Sequence, residues 1–144
     1  MSDLKLIYYM FVRSKLEHSA VVWSSAITQE ERDDLERIQK AAVKVITNHS
    51  YERYEEALNV LNMKTLSQRR DQMSLKFAKN CLKNEKVKNF FPINNIIKRT
   101  RNPEKFKVNF ARTKRYENST IPTLQRMLNN EELQNKNILR RFGS

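Results

Sequence analysis

The sequence predicts an all-α protein, a small irregular bundle of about four to six helices with a basic, loop-rich C-terminal third. Three observations carry that expectation. The 144 residues contain a single glycine, Gly143, so tight hairpin turns lack the residue that most often makes them. Apolar residues recur at steps of three and four over much of the first 90 positions. Helix-start signals precede several of those runs, the clearest being Thr28-Gln29-Glu30-Glu31.

The elements follow in order. Asp3 to about residue 25 is expected to be helical, with Ser2 or Asp3 as cap and Leu4, Ile7, Tyr8, Phe11, Val12 and Leu16 as its apolar stripe. Glu17-His18-Ser19 marks a bend, and the run Ala20-Val21-Val22-Trp23 is either a helical turn or a buried extended piece. The second helix opens with the capping box at Thr28 and Glu31. Acids crowd its first turns and cations follow at Arg37, Lys40 and Lys44, an order that complements the helix dipole. Its stripe is Leu35, Ile38, Ala42 and Val45 or Ile46. Ser50 is expected to cap a third helix, Tyr51 to about Leu61, burying Tyr54, Ala57, Leu58 and Leu61. Thr65 or Ser67 caps a fourth, about Leu66 to Lys83, with Leu66, Met73, Phe77 and Cys81 on one side and Leu75, Ala78 and Leu82 widening it. A short helix ends before Pro92. The expected organisation is a helical bundle over 1–92, a basic loop or extended segment over 93–120, and short, partly disordered C-terminal helices over 121–144.

Composition narrows the function classes. One cysteine, Cys81, permits no internal disulfide and no cysteine metal cluster; in register with Met73 and Phe77, it is expected in the core. His18 and His49 lie far apart without ligand-spaced partners, so no metal and no cofactor are expected. No apolar run reaches about 18 residues, and the N-terminus lacks the basic start and cleavage site of a secretory signal, which leads to an expectation of an intracellular, nuclear or cytoplasmic protein without a membrane partner. The lack of glycine excludes phosphate-cradling loops and dinucleotide fingerprints. The clustered carboxylates at Glu30–Asp34, Glu52–Glu56 and Glu131-Glu132 fit helix N-terminal charge better than catalysis. No nucleophile–base pair and no aspartate set suited to metal-dependent chemistry is visible, so the expectation is a non-enzyme.

The formal net charge of +12 is unevenly placed. Residues 1–50 carry seven Lys/Arg and seven Asp/Glu, whereas residues 51–144 carry 21 and nine. The densest tract holds Lys98, Arg99, Arg101, Lys105, Lys107, Arg112, Lys114 and Arg115 against Glu104, with Phe106, Phe110 and Tyr116 interleaved. Cations beside aromatics suit a polyanion whose bases can stack. A second basic set, Arg69, Arg70, Lys76, Lys79 and Lys83, lies on one side of the fourth helix, where only Asp71 is nearby. Its members face either solvent or phosphate. Trp23 is expected as a core anchor rather than a base-stacking residue.

Several segments in fixed order carry a family resemblance. Tyr8, Val12-Arg13-Ser14-Lys15-Leu16-Glu17-His18 and Val21-Val22-Trp23-Ser24 resemble the segment that follows the catalytic palm in non-LTR (LINE-like, jockey-type) retrotransposon reverse transcriptases. Leu35 to Ala42, Ser50-Tyr51-Glu52, Leu58 to Leu61 and Thr65-Leu66-Ser67-Gln68-Arg69-Arg70 are similar to the elements that come next. Arg112 to Pro122, with Gln125-Arg126 and Leu128-Asn129, resembles the closing tract of such reading frames. The resemblance implies a helical, thumb-like C-terminal region that helps to hold a template–primer duplex of RNA and DNA. In that family the metal-binding palm aspartates lie upstream of these motifs, so it carries over no catalytic residue.

The expected function is therefore a non-catalytic nucleic-acid-binding helical module that grips backbone through Lys/Arg. The cations are Arg69, Arg70, Lys76, Lys79, Lys98, Arg99, Arg101, Lys105, Lys107, Arg112, Lys114 and Arg115. The alternative is a protein-interaction fragment that packs on a palm domain or on itself through Leu4, Ile7, Tyr8 and Phe11, or a decayed element product with no selected function.

Overall fold

A computed structural model describes residues 3–50, 52–95 and 104–142, and among them the protein is all-α. The helices are α1 (Asp3–Ile7), a π-helical turn (Tyr8–Arg13), α2 (Ser14–Glu17), α3 (Ala20–Trp23), α4 (Gln29–Ile46), α5 (Tyr54–Val60), α6 (Leu66–Lys83), α7 (Glu85–Lys88), α8 (Lys114–Glu117) and α9 (Thr120–Phe142). The chain divides into two compact units, Met1–Met73 and Ser74–Ser144. That division falls inside α6, earlier than the change of composition at residue 92 suggests.

In the first unit, α1, the π-helical turn and α2 succeed one another without interruption. A π turn carries one residue more than an α turn, so the residues before and after it no longer share a face. The expected stripe is split along its length. Tyr8 is buried and Val12 and Leu16 are half-buried, while Leu4, Ile7 and Phe11 are exposed. The bend falls at His18 and Ser19, where Ser19 takes a left-handed conformation (φ 51°). Trp23 then donates its indole N–H back to the His18 carbonyl at 2.8 Å.

α4 begins with the expected capping box: the Thr28 hydroxyl accepts from the Glu31 N–H, and the Glu31 carboxylate accepts from the Thr28 N–H. The Thr28 N–H and the Thr28 hydroxyl both donate to the Glu31 carboxylate, and these two hydrogen bonds lower the Glu31 pKa. The buried face of α4 differs from the expected one. Leu35, Ala42 and Ile46 are half-buried, with Ala42 and Ile46 against the core as expected, but Ile38 and Val45 are exposed and the fully buried positions are Gln39 and Val43. Gln39 is the reason. Its Oε1 accepts from the Tyr8 hydroxyl at 2.7 Å, and its Nε2 donates to the Tyr54 hydroxyl at 2.7 Å and to the Lys64 carbonyl at 3.1 Å. The Tyr54 hydroxyl donates in turn to Glu36 at 2.5 Å, and Glu36 accepts from the Leu66 N–H at 3.0 Å. Tyr8, Val43, Ala57, Leu58 and Met63 pack around this polar centre. Burial raises the pKa of both tyrosines, and the hydrogen bond to Glu36 adds to the rise at Tyr54.

The turns manage without glycine. α4 and α5 both end in Schellman motifs, closed by His49 N–H to the Lys44 carbonyl and by Met63 N–H to the Leu58 carbonyl. Asn48, His49 and Asn62 supply the positive φ that glycine usually provides. α5 starts at Tyr54 rather than Tyr51, and Ser50 does not cap it: the Ser50 hydroxyl donates to the Thr47 carbonyl. α6 is capped as expected, with the Thr65 hydroxyl accepting from the Gln68 N–H and the Gln68 side chain accepting from the Thr65 N–H.

In the second unit, Ala78, Phe91, Phe106, Leu124 and Leu128 form the core, with Leu75, Cys81, Leu82 and Met127 against it. Burial pushes the Cys81 thiol pKa up, as befits a core position. Where the sequence suggests short, partly disordered C-terminal helices, α9 is one helix of 23 residues. Its buried amides explain the order of the stretch before it. Asn129 accepts from the Phe106 N–H and donates to the Phe106 carbonyl, both at 2.9 Å. One turn earlier, Gln125 accepts from the Asn109 N–H at 3.0 Å and donates to the Phe90 carbonyl at 2.7 Å. An antiparallel bridge, Ile93 to Phe106, closes the other side. Residues 104–111 form no helix and are fastened to α9 at Phe106 and Asn109.

Among the described residues the buried hydrophobics number seven in the first unit and five in the second, so these amides matter. A buried polar group left unpaired costs about 1–3 kcal/mol, similar to what burying one large apolar side chain contributes. Gln39→Leu is expected to lower stability by about 1–3 kcal/mol in urea unfolding, because it orphans the Tyr8 hydroxyl and the Lys64 carbonyl. A neutral result would remove Gln39 from its central role. Asn129→Leu is expected to expose the Phe106 amide to hydrogen exchange while leaving first-unit amides protected. The tyrosines give a pH prediction. Both folded-state values lie above the ordinary 10.0, so their contribution is complete below pH 10 and falls as the pH rises beyond it. Ultraviolet titration should show two of the five tyrosines failing to ionise with the rest until the first unit unfolds.

Candidate nucleic-acid interface

Twelve cations are the sequence-derived candidates, and the structure sorts them by what they touch. Lys98, Arg99 and Arg101 lie outside the described residues. The other nine fall into three groups.

The first group is the Arg69-Arg70 pair, in the first unit. Arg69 makes a two-pronged contact with the Glu17 carboxylate, Nε to Oε1 and Nη2 to Oε2. Glu17 also lies 4.0 Å from Arg13, whose guanidinium stacks 3.6 Å from the centre of the Tyr9 ring. Arg70 is 2% exposed and lies 5.9 Å from the centre of the Trp23 ring. Burial lowers its pKa, and the nearby Glu36 carboxylate opposes that shift. A side chain so enclosed has no phosphate-facing surface. The expectation that Arg70 lines an open basic face is corrected, because its guanidinium packs beneath Trp23. Arg69 is half-buried and its fork is occupied by carboxylate, the geometry for which guanidinium is best suited.

The second group is Lys79 and Lys105, in the second unit. Both are exposed, and both reach adjacent acids on α9: Lys79 to Glu131 at 2.5 Å and Lys105 to Glu132 at 2.6 Å. Such exposed pairs contribute little to stability. They do cancel the local field that a phosphate would experience. The acids that neutralise Arg69, Lys79 and Lys105 lie 52, 52 and 27 residues away along the chain. Local charge density gives no sign of them.

The third group is Lys76, Lys107, Arg112, Lys114 and Arg115. All five are exposed and carry no ion pair among the described residues. Four of them fall within residues 107–115, where no acid intervenes. The local backbone explains their order. Gln125 and Asn129 hold the stretch before α8, and Thr113 then caps that helix by accepting from the Tyr116 N–H at 3.3 Å. The next acid, Glu117, is drawn 3.8 Å from Arg126, which also donates to the Glu117 carbonyl at 2.6 Å.

The interleaved aromatics also separate. Phe106 is buried in the second core and is no stacking surface. Phe110 is 89% exposed, and Tyr116 is exposed with its hydroxyl 3.4 Å from the Asn109 amide. Trp23 is half-buried and donates its only polar hydrogen to a backbone carbonyl, as a packing residue does. The tract at 107–116 thus combines four unneutralised cations with two exposed rings. Among the described residues there is no group of three or more His, Cys, Asp or Glu placed to hold a metal ion. No described helix is long and apolar enough to cross a membrane. Comparison with protein-family models, with curated proteins and with solved structures gives no match.

Proposed function

We propose that this chain is a non-catalytic, sequence-independent nucleic-acid-binding module that engages sugar–phosphate backbone through its second unit. The observation that carries the proposal is the tract from Lys107 to Tyr116: Lys107, Arg112, Lys114 and Arg115 unneutralised, beside exposed Phe110 and Tyr116. Cations release counterions from a polyanion, and exposed rings offer a platform on which any base can stack. The resemblance of the ordered motifs to the post-palm region of non-LTR retrotransposon reverse transcriptases supports a template–primer duplex as ligand. It also supports a non-enzymatic role, because the palm aspartates of that family belong to a different part of the polymerase.

A second reading rests on its own observation. Of the four residues expected to contact a palm domain or a second copy, Leu4, Ile7 and Phe11 are exposed on the stretch formed by α1 and the π-helical turn, whereas Tyr8 is buried in the core and is no contact residue; Met10 is exposed beside them. Contiguous exposed apolar side chains mark contact surfaces. Under this reading the first unit packs on a palm domain or on a second copy. Light scattering of the purified chain separates the two: a monomer that binds nucleic acid favours the first, and an obligate dimer without such binding favours the second.

Fluorescence anisotropy with a short RNA–DNA hybrid at several salt concentrations tests the main proposal. Each cation that contacts phosphate contributes about 0.7–0.9 to the slope of log affinity against log salt. Neutralising Lys107, Arg112 or Lys114 singly is expected to reduce that slope by about this amount. Lys79→Ala and Lys105→Ala are expected to leave it unchanged, because Glu131 and Glu132 already occupy those ammonium groups. Weak binding that ignores salt, or equal effects from both sets of variants, would overturn the proposal. Phe110→Ala is expected to weaken binding to a single strand by about 1–3 kcal/mol without altering the slope, as loss of stacking does.

A further inference from the structure

The net-neutral first 50 residues conceal a separated charge. α4 carries its acids at the start and Arg37, Lys40 and Lys44 in its later turns. Those three cations, with Arg53 just before α5, surround a cavity of about 260 Å³ within the first unit. Its apolar wall includes Val43, Ala57 and the Tyr54 ring. The Tyr54 hydroxyl is held inside by Gln39 and Glu36, which fixes the ring that faces the cavity. The Lys40 ammonium lies 5.3 Å from the centre of that ring.

Charge decides the class of ligand. Arg37 is already paired with Asp34 at 3.0 Å. Lys40, Lys44 and Arg53 remain, with Glu52 as the one acid of the lining, so the unneutralised lining charge is +2. A phosphate monoester carries about −1.5 to −2 at neutral pH and matches that charge. A simple carboxylate leaves half of it uncompensated. The apolar wall requires that the anion carry a flat, apolar body. Glu52 narrows the choice further: an ionised carboxylate only accepts hydrogen bonds, so it suits a ring that bears N–H donors. A nucleobase with an exocyclic amino group meets this condition, and a phosphotyrosine ring does not. The volume is below the about 300–1,000 Å³ of ordinary small-molecule sites, which limits the occupant to one small unit.

We propose that the cavity between α4 and α5 binds a single nucleoside monophosphate unit, with Lys40, Lys44 and Arg53 on the phosphate, Tyr54 against the base and Glu52 accepting from its amino group. The site lies in the first unit and does not rest on the backbone-binding reading of the second.

Titration calorimetry on the full chain tests it, with adenosine monophosphate as probe. One molecule is expected to bind per chain, with adenosine and inorganic phosphate each weaker by about tenfold or more. Lys44→Glu and Arg53→Glu are expected to lose about tenfold or more each. Both positions are exposed, and unchanged circular dichroism confirms that the variants fold. Glu52→Ala is expected to remove the preference for adenosine monophosphate over purine riboside monophosphate, whose base has neither an amino group nor an N–H donor. Lys107→Glu, in the other unit, is expected to leave binding unchanged. Competition by a 5′-phosphorylated oligonucleotide identifies a strand end as the natural source, and lack of competition identifies the free nucleotide. The proposal is overturned if phosphotyrosine binds as well as adenosine monophosphate, if the Lys44 and Arg53 variants bind normally, or if Lys107→Glu abolishes binding.

Discussion

The first unit is organised around one buried side chain, the Gln39 amide. An amide both donates and accepts, and Gln39 uses both capacities to join three parts of the chain: the π-helical turn through Tyr8, α5 through Tyr54 and the approach to α6 through the Lys64 carbonyl. Glu36, almost one turn earlier, continues the network to the first N–H of α6. The contacts are mutually dependent. With Gln39 inside, Val43 rather than Ile38 or Val45 must face the core, because it lies one turn along the same face. With Leu66 N–H held by Glu36, the first turns of α6 are fixed within the unit that carries Glu17 and Trp23. Arg69 and Arg70 meet those two residues as a consequence.

The second unit repeats the device with different residues. Gln125 and Asn129, spaced four apart on α9, present amides to the backbone of Asn109 and Phe106. Asn129 satisfies both the N–H and the carbonyl of Phe106, as a neighbouring strand would. Phe106 anchors this stretch in the core, and the amides supply its backbone with partners. Fastening by amides leaves the intervening side chains free to be charged, and Lys107 sits between two fastened residues.

This device also explains what was legible in the sequence. Features written in local chemistry appear at the expected positions: the Thr28–Glu31 capping box, the Thr65 cap, the bend at residues 17–19 and the extent of α6. Features set by tertiary contacts do not. Apolar periodicity assigns Ile38 to the core, because glutamine counts as polar and gives no hint that Gln39 finds three partners. The π-helical turn leaves no compositional mark, and in this stretch Ile7 and Phe11 are exposed where periodicity places them in the stripe. Residues 104–111 look unstructured because their partners are amides on a helix further on. The candidate site was legible to a similar degree. The basic tract and its aromatics are visible as sequence, but the acids that silence Arg69, Lys79 and Lys105 come from remote positions.

Arginine and lysine divide the work in a way that bears on how nucleic acid would be held. Arg69 engages Glu17 by its fork, Arg126 engages the Glu117 backbone, and Arg32 donates to the Ser24 carbonyl at 2.9 Å. These guanidiniums serve the fold, for which a planar, multiply donating group is well suited. The unneutralised cations near Phe110 are of both types and hold no fixed geometry toward one another through any acid. Under the proposed reading they would follow a phosphate backbone rather than fix a register on base edges. Phe110 supplies a different kind of contact. Stacking one base on it is worth about 1–3 kcal/mol, comparable to burying a large apolar side chain. Stacking does not depend on counterion release, so an affinity built on residues 107–116 has two separable parts. One part vanishes with salt, and the other remains for as long as a base can lie on the exposed ring.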